Sequence, residues 1–314
     1  MTELFAALLL AAGYNAAVAT LGAAFLGVAG GLVGTFLLLR RRVMLADALS
    51  HATFPGLVLA FLCGLALLGE GRILPILLGG AAASAALAGL AVQGIVANRR
   101  LAEDAAIASV LACSYGAGTV LSSYVQNLPV GGQAGLQRFL LGSAAGMLRA
   151  EAELVAVSAL LLVLVTGLFA KELRLLCFDP VHAETHGWPV ARLDLLLLAL
   201  LLALLVIGLQ IVGLVLALAL VVVPAATARL WTERLGRMLP LAAAIGAAGG
   251  WVGAALSAAL PRLPTGPSIV LVLATIFVAS LIVAPRRGLL AVAARRRRLA
   301  RTLAAEGLDR AGSP

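Results

Sequence analysis

The sequence predicts an all-α polytopic membrane protein, a bundle of eight or nine transmembrane helices. Three observations predict it. Of 314 residues, 62% are hydrophobic and 12% charged, where soluble domains carry roughly 25% charged residues, and mean hydropathy is +1.09. Apolar segments of about 20 residues or more, the length that crosses a hydrocarbon core about 30 Å thick as a helix, recur along the whole chain. Arginines gather at the ends of these segments: Arg40-Arg41-Arg42, Arg99-Arg100, Arg286-Arg287 and Arg295 to Arg298. That is how basic loops are retained on the cytoplasmic side. The formal charge of +9 therefore reflects topology, and the aromatic interleaving of a nucleic-acid groove is absent.

In chain order, the apolar periodicity places spans near 15–39, 43–68, 73–97, 104–126, 150–170, 193–211, 213–230, 238–260 and 267–284. The run from Leu193 to Ala228 would overshoot the bilayer nearly twofold as one helix. Basic residues flank both of its ends, Lys171, Arg174 and Arg192 before it and Arg229, Arg234 and Arg237 after it. Both ends are then cytoplasmic, so the run must turn, and Gly213 is the expected turning point. Loops 40–42, 98–103, 171–192 and 229–237 go inside with the 285–314 tail; the N-terminus, 69–72, 127–149 and 261–266 go outside. Nine crossings satisfy this, or eight if one is a half-helix. The division is a permease domain over 1–284 and a basic cytoplasmic tail over 285–314.

Two spans carry interleaved glycines at helical spacing: Gly27/Gly31 with Gly30/Gly34, and Gly246/Gly250 with Gly249/Gly253. Small residues four apart let helix backbones approach. The external stretch 127–149 places Phe139-Leu140-Leu141-Gly142 after Gly131-Gly132, a pattern for a short re-entrant or interfacial helix. The opening Met1-Thr2-Glu3-Leu4 has no basic region, so no cleaved signal peptide is expected. Cys63, Cys113 and Cys177 lack metal-ligand spacing and are expected as small buried hydrophobes.

Several chemistries are excluded. The single lysine, Lys171, follows Ala170, so there is no phosphate-binding Gly-x-x-x-x-Gly-Lys. Any ATP that drives this protein binds another chain. His-Glu-x-x-His, Gly-x-Ser-x-Gly and paired Cys motifs are absent, so no enzyme activity is expected.

What remains is a polar cluster at membrane depth. In the second span Asp47, Ser50, His51 and Phe54 share a face by i, i+3, i+4, i+7 spacing. Ionisable groups inside a bilayer cost kilocalories and mark functional sites facing the bundle interior. Imidazole nitrogen with carboxylate oxygen is a ligand pair for first-row divalent metals. Pro55 removes the N–H that would bond the His51 carbonyl, and freed carbonyls line cavities in transporters. Asp47 lies about 7 Å along the axis past Arg42 and His51 about 6 Å further, in the cytoplasmic half to middle of the membrane. Asp47 and His51 are the expected metal ligands, with Ser50 a weaker contributor.

These residues resemble a known family. Asp47-Ala48-Leu49-Ser50-His51-Ala52 followed by Pro55-Gly56 resembles the signature of the permease subunit of manganese/zinc/iron-type ABC importers. Phe178-Asp179-Pro180 with Gly187 and Pro189 resembles that family's main cytoplasmic loop. Val212-Gly213-Leu214 leading to Val223-Pro224-Ala225-Ala226-Thr227-Ala228-Arg229 resembles its C-terminal block, and Leu263-Pro264-Thr265-Gly266-Pro267 its last external turn. The blocks keep the family's order over residues 40–284. The resemblance implies a permease homodimer in the bacterial inner membrane, two cytoplasmic ATPase subunits, and an extracytoplasmic metal-binding protein. It implies that Zn2+ or Mn2+, and Fe2+ as a further candidate, passes at Asp47 and His51 without any permanently bound cofactor. Phe178, Asp179, Pro180, Gly187 and Pro189 would form a short coupling helix for the ATPase. His182 and His186 depart from the family's apolar character there; His-x-x-x-His on a helix can chelate a divalent ion, so an exit-side site stands beside two solvated histidines. The alternative function is an ion-coupled secondary transporter in which Asp47 carries a proton or sodium ion.

Overall fold

The computed structural model describes residues 7–10, 13–71, 73–98, 101–128, 149–211, 213–260, 263–285, 287–293 and 295–296. The segment expected to re-enter around Phe139–Gly142 and most of the 285–314 tail lie outside the described residues. The rest is helical, with no strand among the described residues. The helices are α1 (Tyr14–Leu39), α2 (Val43–Leu68), α3 (Leu74–Ala97), α4 (Glu103–Gln126), α5 (Arg149–Leu168), α6 (Ala170–Phe178), α7 (Pro180–Thr185), α8 (Val190–Ile211), α9 (Leu214–Trp231), α10 (Leu235–Ala259) and α11 (Thr265–Val283).

Seven of these (α1–α4, α8, α10 and α11) are long and apolar enough to cross a membrane, and the pair α5–α6, bent by 61° at its break, makes an eighth if it is one span. Helix α9 is an apolar helix of 18 residues, about 27 Å long at the helical rise. The 193–228 run does turn at Gly213, whose φ of 85° lies in the region that glycine enters without steric cost. The fifth span does not end in a plain loop: it bends into α6, whose Leu173 and Leu176 are fully buried.

Helix α1 is the hub. It packs on α10, α9, α5 and α8, and its Leu26, Val33 and Phe36 join Leu201 and Leu205 of α8 and Leu220 of α9 in the main apolar core. The interleaved glycines explain how one helix serves two neighbours. Gly27 and Gly31 lie against the backbone carbonyls of Gly246 and Ala242 in α10, and Gly250 against that of Ala23. Gly30 and Gly34 lie against the carbonyls of Leu220 and Val221 in α9. On α10 the second stripe, Gly249 and Gly253, receives Leu273 and Ile269 of α11. Each pair of stripes thus makes two seams at which no Cβ fits.

Helix α2 packs chiefly on α3 and α4. Gly56 meets the Gly80 carbonyl and the Ser84 side chain of α3, and the Phe54 ring of α2 occupies the space where Gly118 of α4 lacks a Cβ. The cysteines depart from expectation: Cys63 and Cys113 are exposed on outer helix faces, and Cys177 is half-buried. A bilayer accepts a small apolar side chain on the outside of a bundle as readily as within it.

Candidate metal site and the 178–189 segment

Asp47 and His51 sit one turn apart on α2, with Asp47 Oδ1 3.5 Å from His51 Nε2. The two side chains are 43% and 22% exposed, respectively, so both reach open space. Asp47 lines a cleft of about 790 Å³ between α2, α9 and α11, whose other walls include Met44, Val222, Val223 and Leu271. Its walls are otherwise apolar, so the carboxylate is the cleft's charged feature among the lining residues. His51 turns its other nitrogen, Nδ1, into the protein, where it is buried without a hydrogen-bond partner among the described residues. Tyr115 from α4 packs on the imidazole in a T-shaped arrangement, ring centroids 5.3 Å apart at 83°.

The rest of the shared face behaves differently. Ser50 is buried, and its hydroxyl donates to the Asp47 backbone carbonyl at 2.8 Å; that hydrogen is spent on its own helix. Phe54 is buried against Gly118 and borders no open space. Helix α2 also remains helical through Pro55, so the proline weakens the ladder without breaking the span. Ser84 of α3 donates to the Ala52 carbonyl at 2.6 Å, next to the carbonyl that Pro55 deprives of its donor. Tyr115 and Ser84 were not legible as site neighbours, since nothing in the sequence links residues 51 and 52 with 115 and 84. No group of three or more His, Cys, Asp or Glu that could hold a metal ion occurs among the described residues.

The segment around residues 178–189, expected on the cytoplasmic side, is built from local signals. Asp179 caps α7, its Oδ1 accepting from the His182 N–H at 2.8 Å, and Pro180 follows at the first helical position, where a missing N–H costs nothing. Gly187, with φ 79°, ends the helix. Its N–H reaches the Glu184 carbonyl at 3.0 Å, and the Trp188 N–H reaches Ala183 at 2.9 Å, the paired bonds of a glycine-terminated helix. Pro189 then accepts from the Arg192 and Leu193 N–H groups as α8 begins. Asp179, Pro180, Gly187 and Pro189 thus each have a backbone role. Outward it shows Phe178, Val181 and Trp188, which are 62%, 69% and 42% exposed.

His182 and His186 stand on the same short helix with ring centroids 4.0 Å apart, tilted by 43°. His186 Nδ1 lies 3.0 Å from the His182 carbonyl, which commits that nitrogen to the backbone. Both residues are exposed.

Comparison with known proteins follows the same lines. The profile of the ABC 3 transport family matches residues 14–284. The chain is 40% identical over 285 residues to the manganese transport system membrane protein MntC of Bacillus subtilis, covering 91% of this chain and 64% of that relative. It thus spans less than two thirds of that relative's length. It is 38% identical over 279 residues to the zinc transport system membrane protein TroC of Treponema pallidum, covering 89% of this chain and 92% of TroC. Among solved structures it resembles PsaBC from Streptococcus pneumoniae in complex with Fab, with a TM-score of 0.73 and 28% identity over 86% of this chain and 91% of that one.

Proposed function

The chain belongs to the ABC 3 transport family, and we propose that it is the membrane-spanning permease of an ATP-driven importer for a divalent transition metal ion, Zn2+ or Mn2+, with Fe2+ a further candidate. The observation that carries this reading is the Asp47–His51 pair, whose carboxylate opens into an otherwise apolar cleft. A carboxylate left facing lipid is costly; one facing a cation pathway is useful.

The geometry suits transit. Ligand atoms 3.5 Å apart that each reach a metal at about 2.05 Å subtend about 117° at it, close to the tetrahedral angle and within the range zinc accepts. Two ligands leave the remaining positions to water or to groups from another chain. The buried Nδ1 of His51 finds, among the described residues, no acceptor of the kind that usually orients and strengthens a metal-bound imidazole. A site with half a shell and no such support binds enough to capture an ion and weakly enough to release it, which conduction demands. The names of the relatives include both manganese and zinc, and mixed nitrogen and oxygen ligation suits both.

Two features support the assembly. The cleft between α2, α9 and α11 leaves Asp47 uncovered and exposes Met44 and Leu271, each at 63%. A second copy of this chain laid over it would remove the carboxylate from lipid, giving a homodimer with the pathway between protomers. On the cytoplasmic side, Phe178, Val181 and Trp188 form an apolar surface on a rigidly capped turn, a fit for a groove in each of two ATPase subunits. An extracytoplasmic binding protein would deliver the ion from the other side. A self-sufficient carrier with Asp47 as proton or sodium site gives that apolar cytoplasmic turn no role. Metal-dependent uptake in a strain lacking its own importer tests the reading: uptake should require Asp47, His51 and a co-expressed ATPase. Uptake that proceeds with no ATPase would refute it.

A further inference from the structure

At the cytoplasmic corner between α1 and α2 three arginines occur in a row, and the structure uses them unequally. Arg40 places Nε 3.2 Å from Asp194 Oδ1 and a terminal nitrogen 3.0 Å from Oδ2, a two-pronged grip on the carboxylate. Its other terminal nitrogen donates to the Leu176 backbone carbonyl at 3.3 Å. Arg42 holds the same Asp194 through Oδ1 at 3.1 Å and reaches Glu103 Oε1 at 3.2 Å. Between them Arg41 adopts φ 60°, a left-handed conformation that residues other than glycine rarely enter. The corner is nevertheless closed by paired bonds, Arg41 N–H to the Leu38 carbonyl and Arg42 N–H to the Leu37 carbonyl. The clamp on both neighbours holds that turn in a form its sequence disfavours.

The partners define what the clamp connects. Leu176 lies near the end of α6, three residues before Asp179 caps α7, and Asp194 stands in the second turn of α8, just after Pro189. These two acceptors therefore bracket the segment proposed to meet the ATPase. Arg42 immediately precedes α2, five residues from Asp47, and Glu103 opens α4, which carries Tyr115 against His51. One continuous chain of contacts (Leu176 carbonyl, Arg40, Asp194, Arg42, Glu103) thus runs from the coupling segment to the ends of both helices that meet at the metal site. Because α2 packs chiefly on α3 and α4 while α1 packs on the other side of the bundle, this corner ties the two groups together. A cavity of about 240 Å³ lies beside it, bounded by Arg42, Glu103 and Asp194 among others, and gives the side chains room to rearrange. Arg40 and Asp194 are each 17% exposed, so the contact is poorly screened, unlike an ordinary surface pair.

We propose that Asp194 is a positioning residue that transmits the movement of the coupling segment to the N-terminal ends of α2, which carries Asp47 and His51, and of α4, whose Tyr115 meets His51. This rests on the permease reading above. A merely structural ion pair would lower assembly or stability and scale hydrolysis and transport together; a transmitting one sets the number of ions moved per ATP.

The test uses the permease assembled with its ATPase in proteoliposomes, loaded with extracytoplasmic binding protein and radioactive Zn2+ or Mn2+, measuring ATP hydrolysis and metal uptake in parallel. Asp194→Asn is expected to assemble and to hydrolyse ATP within about twofold of wild type while ions moved per ATP fall by about tenfold or more. Asp194→Glu, which keeps the charge on a longer arm, should recover part of that ratio. Arg40→Lys keeps the charge but loses the two-pronged grip, and should lower the ratio in the same way; it carries the test alone if Asp194→Asn does not assemble. An unchanged ratio in Arg40→Lys or in an assembled Asp194→Asn complex would overturn the proposal, as would uptake and hydrolysis falling in proportion. Wild-type vesicles that hydrolyse ATP without accumulating metal would instead remove the permease reading, and this proposal with it. Wild-type transport abolished by Asp47→Asn but untouched by Asp194→Asn would sink the proposal and leave that reading standing.

Discussion

Replacing Asp47 by asparagine removes one charge and almost no volume. The fold should not notice: the Ser50 hydroxyl bonds the Asp47 main-chain carbonyl, which asparagine retains, and the side chain is 43% exposed. The effect on a passing dication is large. At an effective dielectric of about 20, unit charges 4 Å apart attract by about 4 kcal/mol, so a dication and a carboxylate by about 8 kcal/mol. Water reaching a half-exposed group and the remaining amide oxygen recover most of this, and close charge pairs measured by double-mutant cycles fall at about 1.5–7 kcal/mol. A net loss of about 3 kcal/mol slows uptake by more than about 100-fold. The assay is uptake of radioactive Zn2+ or Mn2+ in cells lacking their own importer, with membrane insertion and ATPase association measured in parallel. His51→Ala should behave alike. Near-normal uptake by both variants would refute the site assignment.

Three further outcomes follow from other parts of the molecule. In the cytoplasmic segment, Asp179→Lys removes the cap of α7, worth about 1 kcal/mol; together with deletion of residues 181–185 it should detach the ATPase or uncouple hydrolysis from uptake, and a complex that co-purifies and transports normally would disprove the docking role. Double replacement of His182 and His186 by apolar residues should change initial uptake by less than about threefold, or about 0.7 kcal/mol; a micromolar Zn2+ inhibition of ATP hydrolysis in proteoliposomes that vanishes in the double variant would show instead that the pair binds metal. At the helix seams, Gly27→Ala should destabilise the detergent-solubilised protein by about 1–3 kcal/mol through overpacking, whereas Gly116→Ala, which has open space around it, should be neutral or stabilising by up to about 1 kcal/mol; equal thermal shifts would contradict the seam.

The spans and their glycines were legible because each is a local signal. A membrane helix satisfies its own backbone, so its ends follow from hydropathy and flanking charge, and α2 begins and ends where the apolar run does, at Val43 and Leu68. The Asp179–Pro189 turn was legible because cap, proline and glycine each act within a few residues. The glycine stripes announced close approach but not partners: that Gly27 meets Gly246 while Gly30 meets Leu220 depends on how α1 is rotated in the bundle. Tyr115, Ser84 and the Asp194 corner were hidden for the same reason. Arg40 and Asp194 are 154 residues apart, and three consecutive arginines read equally well as a topological signal. Ser50 and Phe54 show that spacing assigns a face, whereas α3 and α4 decide which part of that face stays open.

The two seams on α1 also set where the bundle can deform. Where main chain rests on main chain, no side chain is available to change rotamer and absorb displacement, so α1 with its neighbours α9 and α10 is the stiff frame of the molecule. On the far side, α2 meets α9 and α11 across the cleft that Asp47 lines, with side chains and empty space between them. Deformation takes the compliant boundary. The pathway proposed at Asp47 would therefore follow the line where the structure yields most easily, with the glycines that fix the frame concentrating movement there without touching the ion themselves.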